Sequence, residues 1–288
     1  MIALLKFPFI QNAFLAGSIV AVAAAVLGYF LIVRGLTFAG HALSSIGFAG
    51  AAGAVLVGVA PVYGMLVFTL GAGLAISLLG REVRERDIAI GVIMTFALGL
   101  GILFLSLYHG YAERAYSILF GSMVGISRGD VLRSLLLSLT VLAALVFMGR
   151  PLLFASFDPD LAEARGVPLR VLGGAFLVIV ALTISVAVQV VGVLLVFALL
   201  VGPAATALRI TYRPVRAIGL AVGLALAYTW LGILLASLSP WPVSFFIAAL
   251  SFGVYLPVRL LVRPGWGSRP KPEAPAAPFT PPAGQSHA

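Results

Sequence analysis

The chain has 288 residues, 62% of them hydrophobic and only 9% charged, whereas an ordinary soluble domain is about half apolar and about a quarter charged. That balance excludes a soluble globular protein, and the apolar excess excludes a disordered chain. Net charge is +9 with no cysteine, so disulfides, thiol catalysis and Cys-ligated metal are excluded. The basic residues fall in short gaps between apolar runs, where they set membrane topology rather than bind nucleic acid.

Stretches free of Asp, Glu, Lys, Arg and His mark the membrane spans, each needing about 20 apolar residues. Phe7–Val33 runs 27 residues, too long for a signal-peptide core of about 7–15, and reads as a retained first span. Ala42–Gly80 holds two spans with a turn near Pro61, and Ile88–Tyr108 holds one. Val131–Gly149 is a shorter span whose flanking Arg133 and Arg150 can snorkel from its ends. Val171–Leu208 holds two spans with a turn at Gln189 and Gly192. Ala217–Val258 holds two more, broken at Ser239-Pro240-Trp241-Pro242. The expected architecture is an all-α polytopic membrane protein of about nine helices, eight being the alternative count. Residues 115–127 are too short to cross and read as a surface or re-entrant segment. His109, at an outer helix end, reads as solvated.

On this count fourteen of the eighteen Lys and Arg residues fall on one side, which makes that side cytoplasmic. The N-terminus is then outside and the C-terminus inside. Residues 1–263 form the membrane domain. Residues 264–288 are rich in proline and poor in apolar side chains, and read as a disordered cytoplasmic tail.

Ionisable groups inside spans are functional candidates, and here the long uncharged runs contain no Asp or Glu. That counts against a proton pump, a carboxylate-dependent carrier or a carboxylate-ring channel. His41 lies near Ser44 and Ser45, but no carboxylate completes a triad. The second span, GLTFAGHALSSIGFAGAAGAVLVG, places His41, Ser45, Ala49 and Gly53 at i, i+4 spacing on one helix face. Such a stripe serves close helix packing. It equally suits a helix lining a pathway, with His41 as a contact point. His41, Ser45 and Ser44 are therefore the candidate metal or translocation residues. Pro203, in Gly202-Pro203-Ala204-Ala205, is expected to kink the span that holds it.

The loop FDPDLAEARGVPLR, Phe157–Arg170, follows different rules. Asp158 is a good N-cap and Pro159 suits the first helical position. Asp160 and Glu163 sit where the helix dipole favours negative charge. Leu161 and Ala162 fill the middle, Arg165 closes the helix, and Gly166 suits a left-handed C-cap before Pro168. The prediction is a two-turn cytoplasmic helix with sharp stops. It is either a connector or a lever for a soluble motor. No G-x-x-x-x-G-K-[ST] loop is present, so ATP hydrolysis, if used, belongs to a separate chain.

The same loop, FDPDLAEARGVP, resembles the cytoplasmic coupling segment of permeases from metal-ion ABC importers, the zinc, manganese and iron uptake systems. Three further segments resemble that family in order: ERDIAIGVIMTFALGLGILFLS (Glu85–Ser106), ILFGSMVGIS (Ile118–Ser127) and AVQVVGVLLVFALLVGPAATA (Ala187–Ala207). Their order and spacing agree with the family across roughly residues 10–262. The resemblance implies a multi-pass permease of a prokaryotic cytoplasmic membrane that forms a homo- or heterodimer. Its implied partners are an ABC ATPase docked on the coupling helix and a periplasmic or lipid-anchored metal-binding protein. Asp87, in the first of these segments, also suits the N-cap of span four.

One departure from the family stands out. Its second span usually reads Gly-Asp-Ala-x-Ser-His, whereas this chain reads Gly40-His41-Ala42-Leu43-Ser44-Ser45. His41 stands in place of the family's metal-contacting Asp, and Ser45 in place of its His. Imidazole suits zinc better than manganese, so zinc is the expected cargo, with manganese or iron as alternatives and no tightly bound cofactor. A self-sufficient carrier or channel is the competing expectation. The depth of His41 poses a geometric problem. It lies only about 7 Å of helix rise past Leu36, at about 1.5 Å per residue, short of the bilayer middle.

Overall fold

Each uncharged run folds as helix. The computed structural model describes residues 8–79, 83–108, 126–211 and 213–262. The elements are α1 (Pro8–Val33), α2 (Thr37–Val57), α3 (Pro61–Leu79), α4 (Val83–Leu107), α5 (Arg128–Phe157), α6 (Pro159–Ala164), α7 (Leu169–Val191), α8 (Val193–Ile210), α9 (Pro214–Ser237) and α10 (Val243–Leu261). His109, the tail 264–288 and all of segment 115–127 except Ile126 and Ser127 lie outside the described residues. Pro61, Pro159 and Pro214 each open a helix, where a missing N–H costs nothing and φ is already set.

Eight helices are long and apolar enough to cross a bilayer, and α8 carries a shorter apolar stretch at Leu195–Ile210. The expected nine therefore resolve, among the described residues, into eight full-length helices and one short one. The outer surface confirms the solvent. Phe147 is 89% exposed and Leu78 83%, exposures that suit lipid and not water. Helices α1, α2 and α7 bury most of their residues, while α4, α5 and α10 bury few. Around α1 pack α5, α8 and α9; α2 lies against α3 and α4; α7 joins α3 and α5 to the centre.

Close approach needs small residues. Helices α2 and α3 cross at Gly50 and Gly64, where a methyl on either would overlap the other's carbonyl. Between α3 and α7, the buried Thr69 and Ser185 hydroxyls lie 2.9 Å apart. Each also donates to its own helix, Thr69 to the Met65 carbonyl and Ser185 to the Ala181 carbonyl. Two protons thus serve three oxygen contacts, so the cross-helix bond forms only when one hydroxyl releases its own carbonyl.

Three sequence expectations are corrected in detail. Helix α5 does not stop at Gly149 but runs 30 residues through Arg150 and Pro151 to Phe157, because a charged residue at the membrane edge ends the apolar run without ending the helix. At its start Ser127 and Asp130 form a reciprocal capping box, as the backbone donors of a first turn require. Asp87 is not the N-cap of α4, which starts at Val83, since the Arg-Glu-Arg run before Asp87 forms helix readily. Between α7 and α8 the break is Gly192 alone, with φ 86° and ψ 158°. That conformation is essentially restricted to glycine, and Gln189 stays inside α7.

The connection between α1 and α2 reaches in toward α7 and α8. The Arg34 guanidinium lies over the Phe176 ring at 5.4 Å, six residues inward from Arg170. Gly40 faces Leu200, nine residues inward from Arg209. The tight turn at Arg34-Gly35-Leu36, closed by the Leu36 amide on the Leu31 carbonyl at 2.8 Å, is therefore recessed into the bundle.

Candidate translocation site and coupling helix

The recess bears on the depth problem. The His41 ring meets the Phe197 ring edge-on, with centroids 4.9 Å apart and planes at 64°. Phe197 is twelve residues from Arg209, about 18 Å along α8 at about 1.5 Å per residue. That distance is comparable to half of the hydrocarbon layer, about 15 Å. Its side chain is exposed on the single chain, amid buried neighbours.

The stripe that begins at His41 divides into two parts. Ala49 is fully buried, and it packs with Phe48 against Gly101 of α4. Gly53 makes room for the Phe104 ring. From Ala49 onward the small residues therefore serve the α2–α4 contact. Ser45 is buried and donates to the His41 carbonyl at 3.1 Å. Its proton is committed to its own helix, and only oxygen lone pairs remain to offer a cation. Ser44 is also buried, and donates to the Val193 carbonyl at 3.0 Å. It anchors α2 to the start of α8, next to the Gly192 break. Of the three candidates, only His41 presents an uncommitted ligating group at the surface.

Among the described residues no cluster of three or more His, Cys or acidic side chains could hold a metal ion. One imidazole from one chain is an incomplete coordination set, since tightly held zinc takes three or four protein ligands. A cavity of about 490 Å³ opens between α3, α5 and α7, lined by Tyr63, Leu66, Arg133, Ser134 and Ser185 among others. Its walls carry an arginine and hydroxyls but no carboxylate or imidazole among the residues that line it. Pro203 lies within α8, which continues through it. Lacking an N–H, it leaves the Leu199 carbonyl without its usual helical donor.

Helix α6 forms as its residues require. The Asp158 carboxylate accepts from the Leu161 amide at 3.0 Å, and Pro159 occupies the first turn. At the far end Arg165 is the C-cap, and Gly166 takes φ 80°, a left-handed turn that glycine adopts without strain. The Gly166 and Val167 amides close back on the Glu163 and Ala162 carbonyls at 2.9 and 3.0 Å. Arg165 reaches over the Phe154 ring of α5 at 5.8 Å. Only Ala162 is buried, at 0% exposure. Asp158, Pro159, Asp160, Leu161, Glu163, Arg165 and Gly166 are all exposed. The helix is held by one small side chain and its caps, and shows the rest of its surface outward.

A model of the ABC 3 transport family matches residues 6–261. The chain belongs to this family. The resemblance read from the four ordered motifs is thus borne out. Family members similar to this chain include the manganese transport system membrane protein MntC of Halalkalibacterium halodurans, 33% identical over 211 residues, or 73% of this chain and 72% of that one. The probable iron transport system membrane protein of Haemophilus influenzae is 31% identical over 235 residues, covering 81% of this chain and 86% of its own. Among solved structures, PsaBC from Streptococcus pneumoniae in complex with Fab superposes with a TM-score of 0.81 at 28% identity, covering 91% of this chain and 96% of that one.

Sequence reasoning missed Phe197, which frames His41. It also saw Arg34 only as a topological charge. The one available signal was that Arg34 directly follows an uncharged run and precedes a glycine, a place where a charge ends a helix near other helices.

Proposed function

We propose that this chain is the membrane-spanning permease of an ATP-driven importer of a divalent first-row metal. ATP hydrolysis belongs to a separate chain docked on α6. The carrying observation is α6 itself, a capped six-residue helix with one buried residue and an otherwise open surface. A mere connector needs no such rigidity, whereas a lever does. The Lys and Arg asymmetry puts α6 on the cytoplasmic side of a prokaryotic inner membrane. A binding protein then delivers cargo at the opposite face, near the α2–α3 connection.

His41 is the contact for the cargo. A lone imidazole suits a weak, transient site, because conduction needs a ligand that lets go. A second copy of the chain would bring a second imidazole, still fewer than the three or four ligands of a tight site and in keeping with a transient one. Manganese and iron are named for the similar proteins. Imidazole suits iron and zinc, and His41 is the observation that keeps zinc as a second reading.

Affinity purification of the tagged chain from native membranes, with mass spectrometry of what accompanies it, tests the class. Recovery of an ABC ATPase is the expected result. ATP hydrolysis by that complex, with manganese, iron(II) and zinc supplied in turn with the binding protein, then ranks the cargoes. Repeated recovery of the chain alone in gentle detergent would replace this reading with a self-sufficient carrier.

A further inference from the structure

We propose that Arg34 is a positioning residue, transmitting displacement of the coupling helix to His41 through its cation–π contact with Phe176. The inference rests on the reading of α6 as the ATPase docking site.

The chain between motor and cargo has little slack. Helix α6 passes into α7 through Arg165–Pro168, with Val167 bonded back to Ala162 and the Leu172 amide bonded to the Pro168 carbonyl at 2.9 Å. A push on α6 therefore moves the first turns of α7. Phe176 lies there, fully buried, with the Arg34 guanidinium over its face at 5.4 Å. Gly173, one turn earlier, faces the same guanidinium. A side chain begun at Gly173 would lie 3.8 Å from an Arg34 terminal nitrogen.

Arg34 and His41 belong to one hydrogen-bonded unit. The turn after α1 is closed by the Gly35 amide on the Ile32 carbonyl and by Leu36 on Leu31, and the Gly40 amide reaches the Leu36 carbonyl at 3.1 Å. On the far side of His41, Ser44 is fixed to Val193 at 3.0 Å. His41 thus sits between two attachments, one to the start of α7 and one just past its end. Movement of the first attachment relative to the second must reorient the segment that carries the imidazole. An apolar side chain at position 34 would fill space without the cation–π attraction that holds the planar guanidinium over the Phe176 ring.

Adjacency does not by itself establish energetic coupling, so the test is a double-mutant cycle. The wild-type chain and the variants Arg34→Gln, Arg34→Lys, Phe176→Leu and Arg34→Gln/Phe176→Leu are purified with their ATPase. Three quantities are read: ATPase recovered, ATP hydrolysis rate, and manganese or zinc taken up per ATP. Arg34→Gln and Phe176→Leu are expected to keep assembly and hydrolysis while uptake per ATP falls about tenfold. Arg34→Lys, with charge but no planar fork, should recover only part of it. The double variant should be no worse than the weaker single variant. Unchanged uptake per ATP, or independent multiplying losses, would overturn the proposal. If Arg34→Gln does not accumulate, Phe176→Leu, which stays apolar and similar in volume, decides the matter alone. A wild-type chain that recruits no ATPase would instead sink the docking reading, a distinct result.

Discussion

The Ser44 hydroxyl donates to the Val193 carbonyl at 3.0 Å, with both residues buried, joining α2 to α8 one residue past the Gly192 break. The bond lies three residues beyond His41 and fixes the helix that carries it. Removing the hydroxyl in Ser44→Ala should cost about 1 kcal/mol. The cost appears as a lower melting temperature in detergent, while His41→Ala should melt like wild type.

His41→Ala and Ser45→Ala should separate in transport. The imidazole is exposed, whereas Ser45 is buried with its hydroxyl turned to its own helix. His41→Ala should lower metal uptake about tenfold, equivalent to about 1.4 kcal/mol of cargo affinity. Ser45→Ala should change it little. Equal and negligible effects in a radiometal uptake assay would return the whole stripe to helix packing.

Gly64→Ala should be severe, because its methyl meets the Gly50 carbonyl and the Ala54 methyl. Backbone cannot rotate away, so the cost should reach or exceed about 1–3 kcal/mol, and folded yield should drop. Gly71, with nothing within 4 Å of an added methyl, is the control. Gly71→Ala should be neutral or stabilising by up to about 1 kcal/mol through helix propensity.

Gly192→Ala should also destabilise, for a backbone reason. A side chain at φ 86° and ψ 158° is strained by about 1–3 kcal/mol. The variant's melting temperature should fall even though Val193 and Ser44 keep their side chains.

In α6, Ala162→Pro removes the amide that bonds the Asp158 carbonyl at 3.1 Å. A proline inside a helix costs about 3 kcal/mol, enough to undo a helix of six residues. Uptake should vanish while membrane insertion, followed by immunoblot of the membrane fraction, stays unchanged. Asp158→Ala, which deletes only the cap to Leu161, should cost about 1 kcal/mol and give a partial loss.

What the sequence revealed depended on how local the deciding physics was. Helix α6 was legible to within a residue, because Asp158, Pro159 and Gly166 act on their own backbone. The spans were legible because charge-free runs answer directly to the bilayer. The recess of the α1–α2 turn was not, since it is set by Phe176, Phe197 and Leu200 on helices more than a hundred residues away in the chain. The stripe on α2 was ambiguous for the same reason. Ala49 and Gly53 look like His41's continuation until Gly101 and Phe104 of α4 cover them. Arg150 misled because a charge reports the membrane edge, and a helix can continue into water.

Ala162 is the single side chain of α6 that the bundle encloses. The rest of that helix faces outward. Over evolutionary time the outer positions are free to change in step with a partner, provided Ala162 stays small and the caps survive. On the docking proposed for α6, the chain can be re-matched to a different motor by altering a handful of surface residues, and the membrane helices with the proposed route past His41 would inherit the new engine unchanged.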